Sequence, residues 1–559
     1  MRTLALAALL LAQEPPKEAH LRGVWGNPAS IDPAFAIDGR FVSPLFEGLT
    51  TFGTDNVTVA PGMAESWSAV GAVWTFKLRD AKWSNGRGVT AEDFMAAWMR
   101  ILDPELGSPW ASSFSIVKNA DTYRAGRALD ALMLEWESLG PVRRAELLAV
   151  AKAGVTRRHA QPLLKLVGSA DEQKAIAEIA AGAAAREDVR DAAIGIRAVD
   201  KKTLAIELVR PTSWLPEIVA GPAWSPVPPE AIKEHRGRWT DAGKIVTNGP
   251  YALDRFTKSD LVLVKSKTYW GKNAGPDRVT LLLTGWPAEA MARWDRAEAD
   301  WIAGELTYTE KIDDFEKKGD WRSWPLFATW FLRVNMAKAP FDKAGLRTWL
   351  ALALDRDKAV PKRSLAAKAL TPPGVAGYSA PLVKAKDTAA AWGEFAKEVP
   401  DASKLPKLIL LCPKAQVETA LAIKMQIEGD FPDVHIRIDA PEWPGYAKSL
   451  EAGDFHMALG GWAGEALDPA TFLELFTKAA PLNATGWTSA DFDALIASAA
   501  AEKDRAKRLE MLSKAEKLLL DGGAVVPMSH PSGGALVRSK VKVDGNAFGR
   551  FLLQNVRIQ

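Results

Sequence analysis

Residues 61–101 decide the fold: Pro61-Gly62-Met63-Ala64-Glu65-Ser66-Trp67, then Val73-Trp74-Thr75-Phe76-Lys77-Leu78-Arg79, then Asp80-Ala81-Lys82-Trp83-Ser84-Asn85-Gly86, then Val89-Thr90-Ala91-Glu92-Asp93-Phe94 running on to Ile101. Val73–Leu78 is rich in β-branched and aromatic residues, the composition of a strand. Asn85-Gly86 supplies a tight turn, because glycine takes positive φ without a Cβ clash. Thr90 stands where an N-cap accepts from first-turn N–H groups, and Glu92 and Asp93 complement the positive end of the helix dipole. The stretch predicts strand, turn and capped helix in succession.

The same alternation continues outward. Thr203–Leu208, Leu261–Val264, Val279–Leu283, Leu408–Cys412 and Val434–Ile438 are further strand candidates, and Lys503–Leu520 reads as a long amphipathic helix. The fold class is therefore α/β. At 559 residues the chain exceeds what one core organises, so two or three domains are expected. Residues 127–192 differ in texture: they are rich in Ala, Leu, Glu and Arg at helical spacing, with Gly140, Gly154, Gly168 and Gly182 near helix ends. They read as a helical insertion of short hairpins stacked as in a small solenoid.

Composition excludes several functions. A net charge of +3, with Lys and Arg interleaved among Asp and Glu, provides no basic face for nucleic acid. One cysteine, Cys412, excludes an internal disulfide and reads as a small buried residue at a strand end. The six histidines show no zinc-ligand spacing, no nucleophile–base set is visible, and no cofactor or metal is implied. Tryptophan is in excess, 22 against 6 tyrosines; most must pack in cores, and some suit the walls of a wide cleft. Arg2, the apolar run Leu4–Ala12 and the stop at Gln13-Glu14-Pro15-Pro16 read as a signal peptide, with 1–19 as signal and leader. No cysteine follows that run, so no lipid anchor is expected.

Further blocks stand along the chain: Ile31-Asp32-Pro33, Leu45-Phe46-Glu47-Gly48-Leu49, Leu102-Asp103-Pro104, Val246-Thr247-Asn248-Gly249-Pro250-Tyr251, Tyr269-Trp270 and Ala353-Leu354-Asp355-Arg356. Gly461-Trp462, Asp468-Pro469 and Thr471-Phe472-Leu473 follow. With the opening stretch, their order and spacing resemble the peptide- and nickel-binding family of extracellular solute-binding proteins, the oligopeptide-binding type that feeds ABC importers. The resemblance covers roughly residues 25–540, apart from 127–192.

The resemblance implies a periplasmic binding protein-like fold, two lobes closing on a cleft, in the class with an extra middle domain. It implies a discontinuous lobe I (20–46, 227–326 and 530–559), a middle domain (47–226) carrying the insertion, and lobe II (327–529). Function follows as an expectation: a periplasmic or extracytoplasmic, monomeric, non-catalytic receptor that captures short peptides and hands them to ABC permease subunits. A peptide binder of broad specificity must pair with ligand backbone and hold its terminal ammonium. The resemblance puts the pairing main chain at Gly461, Trp462 and Ala463, and the negative anchor at Glu465. It puts aromatic walls at Trp443, Trp462 and Trp110, and the opposite wall near Ile37 and Asp38. Asp468 reads as a turn residue. Glu47, Glu65 and Asp355 read as buried hydrogen-bonding partners. Leu459 and Leu450 stand where similar proteins have arginines, which predicts few cations in the cleft. A non-peptide solute (nickel chelate, opine or sugar) on the same scaffold, or an interaction role for 127–192, are the competing readings.

Overall fold

Val73–Leu78 forms a strand, pairing antiparallel with Ala64–Val70 on one side and Thr203–Glu207 on the other. Ile196–Asp200 completes a four-stranded sheet. Gly86 takes a φ of 89°, as the turn requires, and the helix runs from Ala91 to Leu102. Asp93 reaches back to the helix start: its carboxylate accepts from the Thr90 N–H at 3.0 Å and from Trp83 Nε1 at 2.9 Å. In this computed structural model the described residues are 18–559 apart from 37, 54, 56–57, 136–138, 155–173, 175–177, 179–193, 308, 465, 479, 481–482, 503, 544–547 and 550.

Two larger sheets flank the cleft. The first has seven strands in the order Trp321–Pro325, Ser532–Val537, Trp301–Ala303, His20–Trp25, Arg278–Leu283, Asp260–Lys265 and Tyr251–Phe256. His20–Trp25 runs parallel to both its neighbours. The second has six strands in the order Leu365–Ala366, Val525–His530, Ala328–Val334, Met457–Ala463, Leu408–Leu411 and Ile436–Asp439. The chain enters this second sheet through residues 326–327 and leaves it through Pro531, where the Leu326 N–H donates to the Pro531 carbonyl at 2.9 Å. The two crossings therefore lie side by side, an arrangement that permits hinge motion.

The strands expected from composition are all present, with small shifts at their ends. Val434 falls outside Ile436–Asp439 because its N–H closes a turn onto Phe431 O at 3.0 Å. The long C-terminal helix runs Arg505–Asp521, with Asp504 as its cap. Asn248-Gly249 packs against the segment Leu45–Glu47: Asn248 bonds the backbone N–H and C=O of Glu47, at 3.1 and 3.0 Å, and a Cβ on Gly249 would lie 2.6 Å from the Pro44 carbonyl. Asp32 of Ile31-Asp32-Pro33 is buried and pairs with Arg100 at 2.7 Å. These blocks act as fold determinants. Within the helical insertion, Ala120–Glu135 and Pro141–Gly154 pack together as one hairpin. The further hairpins expected up to residue 192, and the signal segment, fall outside the described residues.

Tryptophan joins the sheets to the cleft. Trp98, fully buried, donates Nε1–H to the Trp224 carbonyl at 3.1 Å and packs edge-on to the Trp224 ring at 5.1 Å. Trp224 in turn stacks on Phe114 at 3.9 Å. Such pairs add about 0.5–1.5 kcal/mol each beyond the area they bury. Trp98→Ala should destabilise the protein by about 3–5 kcal/mol, measured as the shift of the denaturant unfolding midpoint.

Candidate ligand cleft

Met457–Ala463 pairs antiparallel along its whole length with Ala328–Val334. Its other edge is covered by Leu408–Leu411 only at Met457 and Ala458. Beyond the strand, the Gly464 N–H donates to the Phe327 carbonyl at 2.8 Å. Hydrogen-bonding directions alternate along an antiparallel strand. Gly460 and Trp462 therefore turn their main-chain groups toward Ala328–Val334, while Leu459, Gly461 and Ala463 turn theirs to the uncovered edge. No strand among the described residues pairs with that edge beyond Ala458. Of the three main-chain positions expected to pair with a ligand, Gly461 and Ala463 are oriented for it and Trp462 is not.

Three cavities adjoin one another; the second reaches the strand at Ala463, and Gly461 lines none of them. One of about 410 Å³ includes Asp38, Arg40, Glu47 and Trp110 in its walls. One of about 360 Å³ includes Trp110, Glu217, Trp224, Phe327, Ala463 and Gly464. One of about 460 Å³ includes Trp25, Arg40, Trp301, Trp324, Lys362 and Arg363. Phe548 borders all three, and Trp110 is shared by the first two.

Asp38 caps the short helix Gly39–Val42, accepting from the Arg40 N–H at 2.9 Å, and pairs with the Arg40 guanidinium at 2.6 Å. Trp110 is held by its Nε1–H on the Ala36 carbonyl at 3.0 Å. The other aromatic expectations need correction. Trp443 opens the helix Trp443–Ala452, is 65% exposed, stacks on Tyr446 and lines none of the three cavities. Trp462 is half-buried and packs against the apolar cluster that contains Phe472 and Phe476, and it too lines none of the three cavities. Ile37 and Glu465 fall outside the described residues. Asp468 is a structural residue: buried, it accepts from the Ala470 N–H at 2.9 Å and forms a forked pair with Arg508 at 2.5 and 2.9 Å.

The cleft also holds cations that sequence motifs did not mark. Arg40 borders two of the cavities and is shared by Asp38 and Glu305, the latter at 2.8 Å. Lys362 and Arg363 border the third and both pair with Asp313, and Arg363 Nε also reaches Glu316 at 3.2 Å. The expectation of a cation-poor cleft is thus corrected: these groups arrive from segments remote from Leu450 and Leu459. Phe548 and Glu217 were missed for the same reason. No local spacing distinguishes a residue whose role is set by which distant segments it meets.

Glu47 lies behind the first cavity, buried, accepting from Tyr269 Oη at 2.7 Å and Trp270 Nε1 at 2.6 Å. Burial pushes its carboxyl up to about 7, against the lowering effect of those two donors and of Arg79. Asp355 caps a short helix at half-burial. Glu65 is exposed, contrary to the expectation of a buried partner: its strand presents this face to solvent.

Comparison with known proteins agrees with this architecture. Residues 58–483 match the model of the bacterial extracellular solute-binding proteins, family 5, and the chain belongs to that family. It is 29% identical over 516 residues to the periplasmic oligopeptide-binding protein of Escherichia coli (strain K12), covering 88% of this chain and 83% of that protein. It is 24% identical over 524 residues to a probable deoxycholate-binding periplasmic protein of the same organism, covering 90% and 86%. Among solved structures it superposes on a periplasmic murein tripeptide binding protein in its unliganded open form with a TM-score of 0.75 at 23% identity, covering 97% and 98%. An oligopeptide-binding protein of Haemophilus influenzae in complex with RPPGFSPFR gives 0.67 at 22% identity, covering 97% and 99%. The fold is the two-lobe binding-protein fold.

Two outcomes follow. Asp468→Asn leaves Arg508 buried without its counter-charge and should cost about 3–5 kcal/mol, read from thermal or denaturant unfolding. Burial favours the protonated form of Glu47 in the folded state. Its contribution to stability should therefore fall as pH rises from about 4.5 to about 7. Glu47→Gln should flatten the decline of stability over that window.

Proposed function

We propose that this chain is the receptor of an ABC importer, capturing short peptides outside the cytoplasmic membrane and presenting them to permease subunits. The uncovered strand edge at Gly461 and Ala463, which reaches a cavity at Ala463, carries this reading. A peptide laid along it as an added strand gains backbone hydrogen bonds that do not depend on its side chains. The wide cavities alongside accept varied side chains and water. Glu465, two residues beyond Ala463, is the negative anchor for the ligand's ammonium. Asp38 and Trp110, in the walls of the adjoining cavities, are proposed as the opposite contacts, and the family resemblance adds Ile37 as a ligand-contacting residue.

The assignment of lobe I to 20–46, 227–326 and 530–559, the middle domain to 47–226 and lobe II to 327–529 is supported by sheet membership and by the single entry and exit of the second sheet. Lobe closure around the ligand is the state that the permease recognises, because the ligand stabilises closure only by its higher affinity for that state. The protein acts without catalysis, as a monomer, exported by its N-terminal segment. The extracytoplasmic location is supported by the extracellular character of the family. A second reading, a non-peptide solute on the same scaffold, is favoured by the relative named for deoxycholate.

Thermal-shift measurements against short peptides and against deoxycholate, with mass spectrometry of what co-purifies, separate the two. The proposal expects peptides to raise the melting temperature; a shift with the bile acid alone would overturn it. Ala463→Pro removes one outward N–H and should weaken peptide binding about tenfold, close to 1.4 kcal/mol, by calorimetric titration. Glu465→Gln should weaken free-amine peptides far more than N-acetylated ones, and equal losses would remove Glu465 from the site.

A further inference from the structure

The 360 Å³ cavity abuts the free strand edge at Ala463, with Gly464 in its wall, and most of its wall is apolar: Trp110, Ile116, Trp224, Phe327 and Phe548 all face it. Glu217 is the one charged residue among the described residues that line it. Its position is set by the short helix Leu215–Ile218, whose other residues Leu215 and Pro216 are buried and hold it against the core. Yet among the described residues the Glu217 carboxylate makes no ion pair, and its Oε2 is buried without a hydrogen-bond partner. Burial, reinforced by the nearby Asp468 charge, holds its carboxyl above the usual range, although a hydrogen bond from its own backbone N–H and the charges of Arg508 and Arg505 oppose the shift. Arg508 is itself committed to Asp468, which it meets in a forked pair.

A carboxylate oxygen buried without a partner is costly unless a cation reaches it. A long cationic side chain answers both halves of this chamber, since its methylenes cover apolar and aromatic walls while its head keeps polar company. We propose that this chamber is a side-chain subsite for lysine or arginine in the bound ligand, with Glu217 as the residue that sets the preference. The inference rests on the peptide reading above. A ligand paired along Gly461 and Ala463 projects alternate side chains to opposite faces, so one defined ligand position meets Glu217. That position, unlike the others, carries a charge requirement.

The test is a scan of tetra-alanine in which each position in turn carries lysine or its uncharged near-isostere norleucine, with affinities from calorimetric titration. At one position lysine should bind at least about tenfold more tightly than norleucine. Glu217→Gln should bring that ratio close to one, and Glu217→Asp should restore part of it. The ratio is taken within each variant, so a general loss of stability does not mimic the effect. N-acetylation of the lysine peptide should leave the ratio intact. If acetylation instead removes the effect of Glu217→Gln, the residue holds the ligand's α-ammonium and the side-chain proposal fails. It fails equally if no position prefers lysine while tetra-alanine still binds. Absence of binding by every peptide, tetra-alanine included, would instead overturn the peptide reading on which the inference stands.

Discussion

The architecture turns on one backbone hydrogen bond and the two crossings it joins. The chain passes from the seven-stranded to the six-stranded sheet through Leu326 and Phe327 and returns through Pro531, and the Leu326 N–H to Pro531 carbonyl bond ties the strands where they cross. Connections this short leave the sheets little freedom beyond bending about the line through the pair. They also fix what stands beside that line: Phe327 contributes to the 360 Å³ chamber and accepts the hydrogen bond of Gly464. The hinge thus builds part of the cleft that it opens and closes.

The ligand-facing edge is a consequence of unequal strand lengths. Leu408–Leu411 stops after covering Ala458, whereas Ala328–Val334 accompanies Met457–Ala463 to its end. An edge left open in this way invites aggregation in most proteins. Here it lies inside a cleft, where a ligand can complete the ladder. Alternation then decides which main-chain groups stay open: those of Gly461 and Ala463 face outward, while Trp462 packs half-buried against the neighbouring apolar cluster.

Much of the fold was legible because its determinants are local. Val73–Leu78, the Asn85-Gly86 turn and the helix from Ala91 follow from β-branched content, a positive-φ glycine and an acidic first turn. Asp32 and Asn248 were legible as fold determinants through the blocks that contain them. Trp443 and Trp462 show where that reasoning stops. Both are tryptophans beside a Pro or Gly signal, yet one lies 65% exposed on a helix and the other packs against a core. Local composition states how apolar a residue is, but not which surface will cover it.

The sequence by itself determined the class of fold, helix as far as Gly154 in the expected insertion, the family and the strand segment at Gly461–Ala463, because short-range periodicity and ordered blocks suffice for these. Tertiary structure alone decided that Arg40, Lys362, Arg363, Glu217 and Phe548 line adjoining cavities, that Trp443 stays outside them, and that only alternate residues of the strand turn their main chain to its open edge. Those facts depend on contacts between residues separated by up to several hundred positions, and on where a neighbouring strand ends. Neither quantity leaves a trace in the residues on either side of the site.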